Sequence, residues 1–291
     1  MRKKKKEEVM IIVTGSTGTI GSEVVKQFVD GHHKVRALVR DRAKAAWPSK
    51  AVEVVVGDLS KPETLGAAFD GVDKAFILSN GPELAKLEAN AFDAAKKAGV
   101  KHIVKLSGRH IDADFMAGTG LVRWHGESER RLRTLGIAWT ILRPGFFASN
   151  VLMFGVKERG ALFLPAGDGK DTPTDPRDIA AVAVKALTTP GHEGKIYELT
   201  GPEFLSYAEM MQKMAAAIGK PLKYVDVPEA TAREGMLATG LPPAQADSLM
   251  SYFAGVKAGK IYPPTPTVAD VLGRPARTFD EWLRDNAAAL K

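Results

Sequence analysis

Three glycines, Gly15, Gly18 and Gly21, punctuate the run Val13-Thr14-Gly15-Ser16-Thr17-Gly18-Thr19-Ile20-Gly21, between a short β-rich stretch and a stretch with helical spacing. In that setting each glycine has a use. Gly15 makes a tight turn, Gly18 lets backbone approach a pyrophosphate, and Gly21 lets the helix pack close to the sheet. Exposed amides from Ser16, Thr17, Thr19 and Ile20, together with the helix dipole, then favour phosphate oxygens. A tight turn with no ligand is the alternative.

About 20 residues further on, a dinucleotide site that takes NAD carries an acid for the ribose 2′-hydroxyl. Here the stretch reads Leu38-Val39-Arg40-Asp41-Arg42. Arg40 stands at the acidic position, and a guanidinium suits a 2′-phosphate by charge and fork geometry. NADP(H) is therefore expected over NAD(H), with Arg42 and Lys44 adding to the field. The other reading leaves Arg40 as a solvated strand end and gives the ribose to Asp41. Further along, Trp124-His125-Gly126-Glu127-Ser128-Glu129 sets His125 and Glu129 one helical turn apart. A carboxylate so placed can hold the imidazole and raise its pKa. A helix-surface pair without chemistry is the plain alternative.

These residues need a frame, and the first half of the chain supplies one. Apolar runs at Val9 to Thr14, Lys34 to Arg40, Val52 to Val56, Lys74 to Leu78, His102 to Leu106 and Ala138 to Leu142 alternate with segments able to form helices. Continuous apolar strands of this kind are buried on both faces. The expected fold is α/β, a Rossmann-type doubly wound parallel sheet with a smaller, mainly helical carboxyl-terminal lobe. After Pro144 the texture changes. Glycine and proline become frequent, strands are short (Ala161 to Leu164, Lys195 to Leu199, Lys223 to Val227), and helices are expected at Asp175 to Leu187, Ser206 to Ile218 and Thr278 to Leu290. The division is a basic, disordered tail over 1–8, a nucleotide-binding domain over 9–150, and a substrate lobe over 151–291 that covers the carboxyl ends of the strands.

Composition narrows the rest. The net charge of +7 falls to +4 without residues 1–8, which hold five basic and two acidic side chains. No helix-turn-helix, zinc finger or aromatic-interleaved basic strand follows that tail, so no nucleic-acid partner is expected. No apolar stretch is long enough for a membrane span, and no secretory signal is seen. Cysteine is absent, which removes disulfides and thiolate chemistry and fits a cytoplasmic protein. The six histidines show no metal-binding spacing, and no metal is expected. Asp175 and Asp178 read as charge at a helix start, and no G-x-S-x-G elbow is present.

The spaced glycines, Val56-Gly57-Asp58-Leu59 and Leu142-Arg143-Pro144-Gly145 together resemble the atypical short-chain dehydrogenase/reductase group of NmrA-like proteins and NAD(P)H:quinone oxidoreductases, strongly over 9–150 and more loosely beyond. The resemblance implies that Asp58 and Leu59 flank the adenine. It implies that Ser79-Asn80-Gly81 lines the nicotinamide ribose, that Phe146 and Phe147 sit near the nicotinamide, and that Pro144 is among the cofactor-binding residues. It also draws attention to a departure. Ordinary members of the superfamily reduce carbonyls with a Ser–Tyr–Lys set, and Ser107 can be the serine. The tyrosines, however, are Tyr197, Tyr207, Tyr224, Tyr252 and Tyr262, none followed by lysine four residues later. His125 and Glu129 resemble instead the H-x-x-x-E arrangement of the quinone-reductase members, with Lys105 a lesser candidate.

Reducing an isolated ketone leaves a strongly basic alkoxide that needs an aligned acid, whereas a quinone leaves a delocalised anion that water can protonate. The expectation is an NADPH-dependent oxidoreductase for a quinone-like or other conjugated, aromatic acceptor, with a homodimer left open. The alternative is a non-catalytic NADP(H)-binding, redox-sensing regulator of the NmrA type. Met153, Phe154, Met236, Met250, Tyr252 and Phe253 are candidates to line an apolar pocket, or simply to fill the core.

Overall fold

A computed structural model describes residues 9–290 except 46, 48 and 155, so the basic tail expected at 1–8 lies outside the described residues. The first half runs β1 (Ile11–Val13), α1 (Thr19–Asp30), β2 (Val35–Val39), β3 (Val52–Val56), α2 (Leu65–Phe69), β4 (Lys74–Ile77), α3 (Leu84–Lys97), β5 (His102–Leu106), α4 (Gly120–Arg133) and β6 (Ala138–Pro144). The second half runs α5 (Val156–Arg159), β7 (Ala161–Leu164), β8 (Lys170–Asp171), α6 (Pro176–Thr188), β9 (Lys195–Leu199), β10 (Leu205–Ser206), α7 (Tyr207–Ile218), β11 (Lys223–Asp226), α8 (Glu229–Ala238), α9 (Pro243–Lys257), α10 (Thr267–Leu272) and α11 (Phe279–Leu290).

The described residues build a seven-stranded parallel sheet in the order β3-β2-β1-β4-β5-β6-β9. Strand order reverses at β1, so the crevice where such sheets bind ligands opens at the carboxyl ends of β1 and β4. Successive side chains of each strand feed opposite layers. Val13, Val104 and Leu142 pack with Val24 and Phe28 of α1 and Ile179 and Val182 of α6. Ile12, Ile103 and Ile141 pack with Leu65 and Phe69 of α2, Phe92 of α3 and Leu132 of α4.

Two expectations change here. The seventh strand comes from beyond residue 150: β9 pairs with β6 from Thr140↔Lys195 to Pro144↔Leu199, and α6 lies against α1. The boundary at 150 therefore marks a change of sequence texture, because the chain begins the lobe with β7, returns to finish the sheet with β9, and only then completes the lobe. Nor is β3 buried on both faces. It is the edge, and Val56 is half exposed.

The helix starts follow local chemistry. Asp175 caps α6, accepting from the Arg177 amide with Pro176 in the first turn. Ser206 and Glu209 close a reciprocal capping box on α7. The lobe has its own core, in which Tyr207, Met210 and Met214 of α7 meet Phe253 of α9 and Phe279, Trp282 and Leu283 of α11. The lobe also reaches the carboxyl end of the sheet. Gln245 of α9 donates to Asn80 after β4, and Ser248 accepts the Leu121 amide of α4. Among the described residues no helix is long and apolar enough to cross a membrane.

Candidate functional site

The glycine loop is shaped by its own backbone. Gly15 has φ +58°, and a Cβ there would stand 2.8 Å from the Leu78 side chain. At Gly21 a Cβ would stand 2.2 Å from the Gly15 carbonyl oxygen, so its absence lets α1 close on the loop itself, not on a strand. Gly18 differs. Its φ is −87°, open to any residue, and a Cβ would meet protein only at 3.4 Å, the Gly15 oxygen. The fold gives no reason for glycine at 18, and a group lying over the loop would.

No side chain caps α1 and its first turn holds no acid, which leaves the amides at Thr19 and Ile20 for an outside anion. Thr17 and Thr19 are exposed and Ile20 is buried. The Ser16 hydroxyl donates to the Leu38 carbonyl at 2.7 Å, tying the loop to the end of β2. Thr14 Oγ1 bonds both the carbonyl and the amide of Leu78, latching β1 to β4 at the strand-order reversal.

Two residues past Leu38, Arg40 is exposed and makes no hydrogen bond or ion pair among the described residues. Its neighbours are engaged. Asp41 accepts the Ala43 amide and caps a short turn, and Arg42 donates to the Val54 carbonyl. Asp58 accepts from the amide and hydroxyl of Ser60, and these bonds, helped by the Arg40 and Lys61 charges, hold its carboxyl below the usual range. Leu59 is half-buried, its carbonyl bonded by Asn90. Pro144 ends β6 and accepts the Arg109 amide. Phe146 lies just past β6. Its ring is buried in the lobe core, edge-on to Tyr207 at 5.5 Å. Phe147 packs on the opposite layer, beside α6.

The α4 residues are rearranged relative to expectation. His125 and Glu129 are buried, one turn apart, and do not pair. Glu129 accepts from Ser107 Oγ at 2.6 Å, from Arg143 through two nitrogens at 3.0 and 2.7 Å, and from Arg133. His125 Nδ1 instead lies 3.3 Å from Lys105 Nζ. Burial, with Lys105 and Arg143 nearby, pushes the imidazole well below the usual histidine range, opposite to the expected rise. Lys105 is fully buried and pairs with Glu88 of α3 at 3.0 Å. Glu88 in turn accepts from the Ser79 amide and hydroxyl and from Ser128 of α4.

Sequence reading passed over Glu88, Ser128 and Arg143. One signal was available: Glu88 stands within the apolar stripe Leu84, Ala91, Phe92 and Ala95 of α3, where a charged residue is rarely buried without a partner. The tyrosines divide as well. Tyr207 and Tyr252 both donate to buried Asp171, and burial beside that carboxylate raises both phenols well above the usual range. Tyr252 and Tyr262 come to the bend after β5, their rings 6.4 and 5.0 Å from His110. His110 itself holds a left-handed φ of 65°. Of the apolar lobe candidates, Met153, Phe154 and Met236 line a cavity of about 330 Å³ with Phe163, Leu241 and Leu249. Met250 and Phe253 are core.

Comparison with known proteins gives consistent relatives. The NmrA-like family model matches residues 7–283. An NAD(P)H azoreductase of Xenophilus azovorans is 43% identical over 97% of this chain and 99% of its own. Quinone oxidoreductase 2 of Escherichia coli is 32% identical over 94% and 96%. Among solved structures, the NADPH-dependent quinone oxidoreductase QOR2 of Escherichia coli complexed with NADPH superposes with a TM-score of 0.83 at 31% identity, covering 95% of this chain and 99% of that one.

Proposed function

The chain belongs to the NmrA-like family and is an oxidoreductase enzyme, and from that premise we propose that it binds NADPH at the glycine loop and reduces quinones, azo compounds or other conjugated acceptors. What carries the cofactor reading is Gly18, glycine without a steric or dihedral reason inside the fold. Thr19 and Ile20 would offer amides to the pyrophosphate, and Arg40 would meet the 2′-phosphate. The engagement of Asp41 in its own turn argues against it as the ribose ligand. Asp58 and Leu59 would border the adenine, and Ser79 and Asn80 the nicotinamide ribose. NADPH, when bound, supplies a hydride.

The acceptor follows from protons. The Ser107 hydroxyl is donated to Glu129, and a histidine held far below its usual range does not act as an acid at neutral pH. With neither proton on offer, the acceptor must take two electrons and one proton as hydride and stand as an anion until water supplies the second proton. A quinone meets that condition and an aliphatic ketone does not. The name of the quinone oxidoreductase relative supports this choice.

The test is NADPH consumption across quinones, azo dyes, enones and aliphatic ketones of similar size. Quinones should turn over at least tenfold faster than ketones, about 1.4 kcal/mol in barrier. Vigorous reduction of an unconjugated ketone would reveal a proton donor elsewhere, with Tyr262 first in line. Tight NADPH binding with no turnover of any acceptor would favour a redox-sensing regulator.

A further inference from the structure

We infer that the buried Glu88–Lys105 pair fixes His125 as a neutral imidazole with its proton on Nε2, a permanent hydrogen-bond donor at the carboxyl end of β5. An ammonium has three N–H bonds and no lone pair. Lys105 Nζ has three acceptors in reach among the described residues: the Leu106 carbonyl at 2.9 Å, Glu88 Oε2 at 3.0 Å and His125 Nδ1 at 3.3 Å. Nδ1 can receive that N–H only through its lone pair, so the ring's single proton resides on Nε2.

Nothing nearby favours a second proton on the ring. Lys105 faces it from β5 and Arg143 from β6, both cationic. Glu129, on its own helix, is taken up by Ser107, Arg143 and Arg133. Glu88 of α3 accepts from Ser79, Ser128 and Lys105, and stands behind the lysine. The opposite edge of the imidazole looks onto the bend after β5: a Cβ on Gly108 would lie 3.8 Å from Cδ2 and 3.9 Å from Nε2. The same carboxylate that aligns Lys105 also holds the Ser79 amide, so the β4 turn and the histidine share one anchor.

This inference rests on the reductase reading for its consequence and on geometry for its content. If hydride transfer takes place at the carboxyl ends of β4 and β5, His125 steadies a cofactor or acceptor oxygen by donating Nε2–H, and the proton stays on nitrogen throughout. Lys105 and Glu88 are then positioning residues, acting through His125.

The decisive measurement needs neither cofactor nor acceptor. Two-bond proton–nitrogen spectra of the full chain, with His125→Gln identifying the signals, should show an Nε2–H imidazole with constant shifts from about pH 5.5 to 8.5, where an ordinary histidine titrates. Lys105→Met combined with Glu88→Gln removes the pair without stranding a charge, and should release His125 into a mixture of tautomers or a titration within that range. A wild-type His125 that titrates near neutrality, or carries its proton on Nδ1, overturns the inference even if the double variant fails to fold.

Kinetics give a second readout. His125→Gln, which keeps an N–H near the Nε2 position, should retain at least tenfold more quinone reductase rate than His125→Phe, and the wild-type kcat should not follow a histidine titration. Equal loss in the two variants counts against a donor role. An inactive protein with the expected spectrum fails the reductase reading alone, and an active one with a titrating His125 fails this inference alone.

Discussion

The loop over 14–21 and the polar layer beneath α4 lie at the same end of one sheet, yet they are finished in opposite ways. The loop leaves its hydrogen-bonding capacity outward: α1 has no side-chain cap, and Gly18 keeps open a space that no protein atom fills. Under α4, by contrast, Glu88, Lys105, Ser107, Glu129 and Arg143 satisfy one another inside the fold. The loop's outward donors are backbone amides, and the fold itself does not require glycine at 18. A region that must hold a geometry is built from charged side chains and tolerates no missing partner.

The largest expected effect would break the first half of that contrast. Gly18→Val should weaken NADPH binding more than about 1,000-fold, roughly 4 kcal/mol, while the melting temperature scarcely moves, since a Cβ at 18 meets no protein atom closer than ordinary contact. Titration by cofactor fluorescence alongside thermal unfolding checks both. Retained affinity in a folded variant means the nucleotide lies elsewhere.

Next comes the second half. Glu88→Ala leaves Lys105 charged, buried and unpaired, and should destabilise the fold by about 3–5 kcal/mol. The neutral pair Glu88→Gln with Lys105→Met should cost clearly less. Denaturant unfolding of both decides, and equal losses would mean that packing, not charge pairing, dominates this layer.

Arg40→Asp sharpens the loop's selectivity. It should lower NADPH affinity by about 1.5–3 kcal/mol, the range for a hydrogen bond to a charged group, and leave NADH binding nearly unchanged. Arg42→Ala should do less, because its guanidinium is already held by the Val54 carbonyl. Parallel titrations with both nucleotides measure this, and an unaltered preference removes Arg40 from the site.

A further effect, read from pH and not from a ligand, concerns buried imidazoles outside both regions. His102 and His110 are each pushed down to about 4 by burial, and each has an Nδ1 without a partner among the described residues. In the unfolded chain they protonate near the ordinary 6.5. The unfolded state therefore binds more protons below that value, and stability should be level above about pH 6.5 and fall as pH drops towards 4. His102→Gln should flatten the decline in a pH series of denaturant midpoints. A wild-type midpoint insensitive to pH across that window would contradict the burial argument.

The two regions also differ in how far the sequence announced them. Gly15, Gly18 and Gly21 are contiguous with β1 and α1, so three residues within one turn-and-helix unit carry the signal. Strand β5 was expected over its observed residues. The α4 layer assembles Glu88, Lys105, His125, Glu129 and Arg143 from four elements. Their spacing along the chain says nothing about which carboxylate meets which cation. His125 and Glu129 looked like partners because helical neighbours are the only neighbours a sequence displays. The sheet turned them towards different strands, His125 to β5 and Glu129 to β6 and the bend after β5.

By itself the sequence determined what depends on period and local dihedral: the apolar strand runs, the glycine turn, the helix starts at Asp175 and Ser206, and the absence of a tyrosine on α4. It also determined the guanidinium at residue 40. Tertiary structure alone decided the rest. It returned β9 to the sheet after the lobe had begun, sent Phe146 into the lobe core, and buried Lys105 between α3 and α4. A buried charge is tolerable only where opposite charge and hydrogen bonds surround it, and those partners come from elements that only folding brings together.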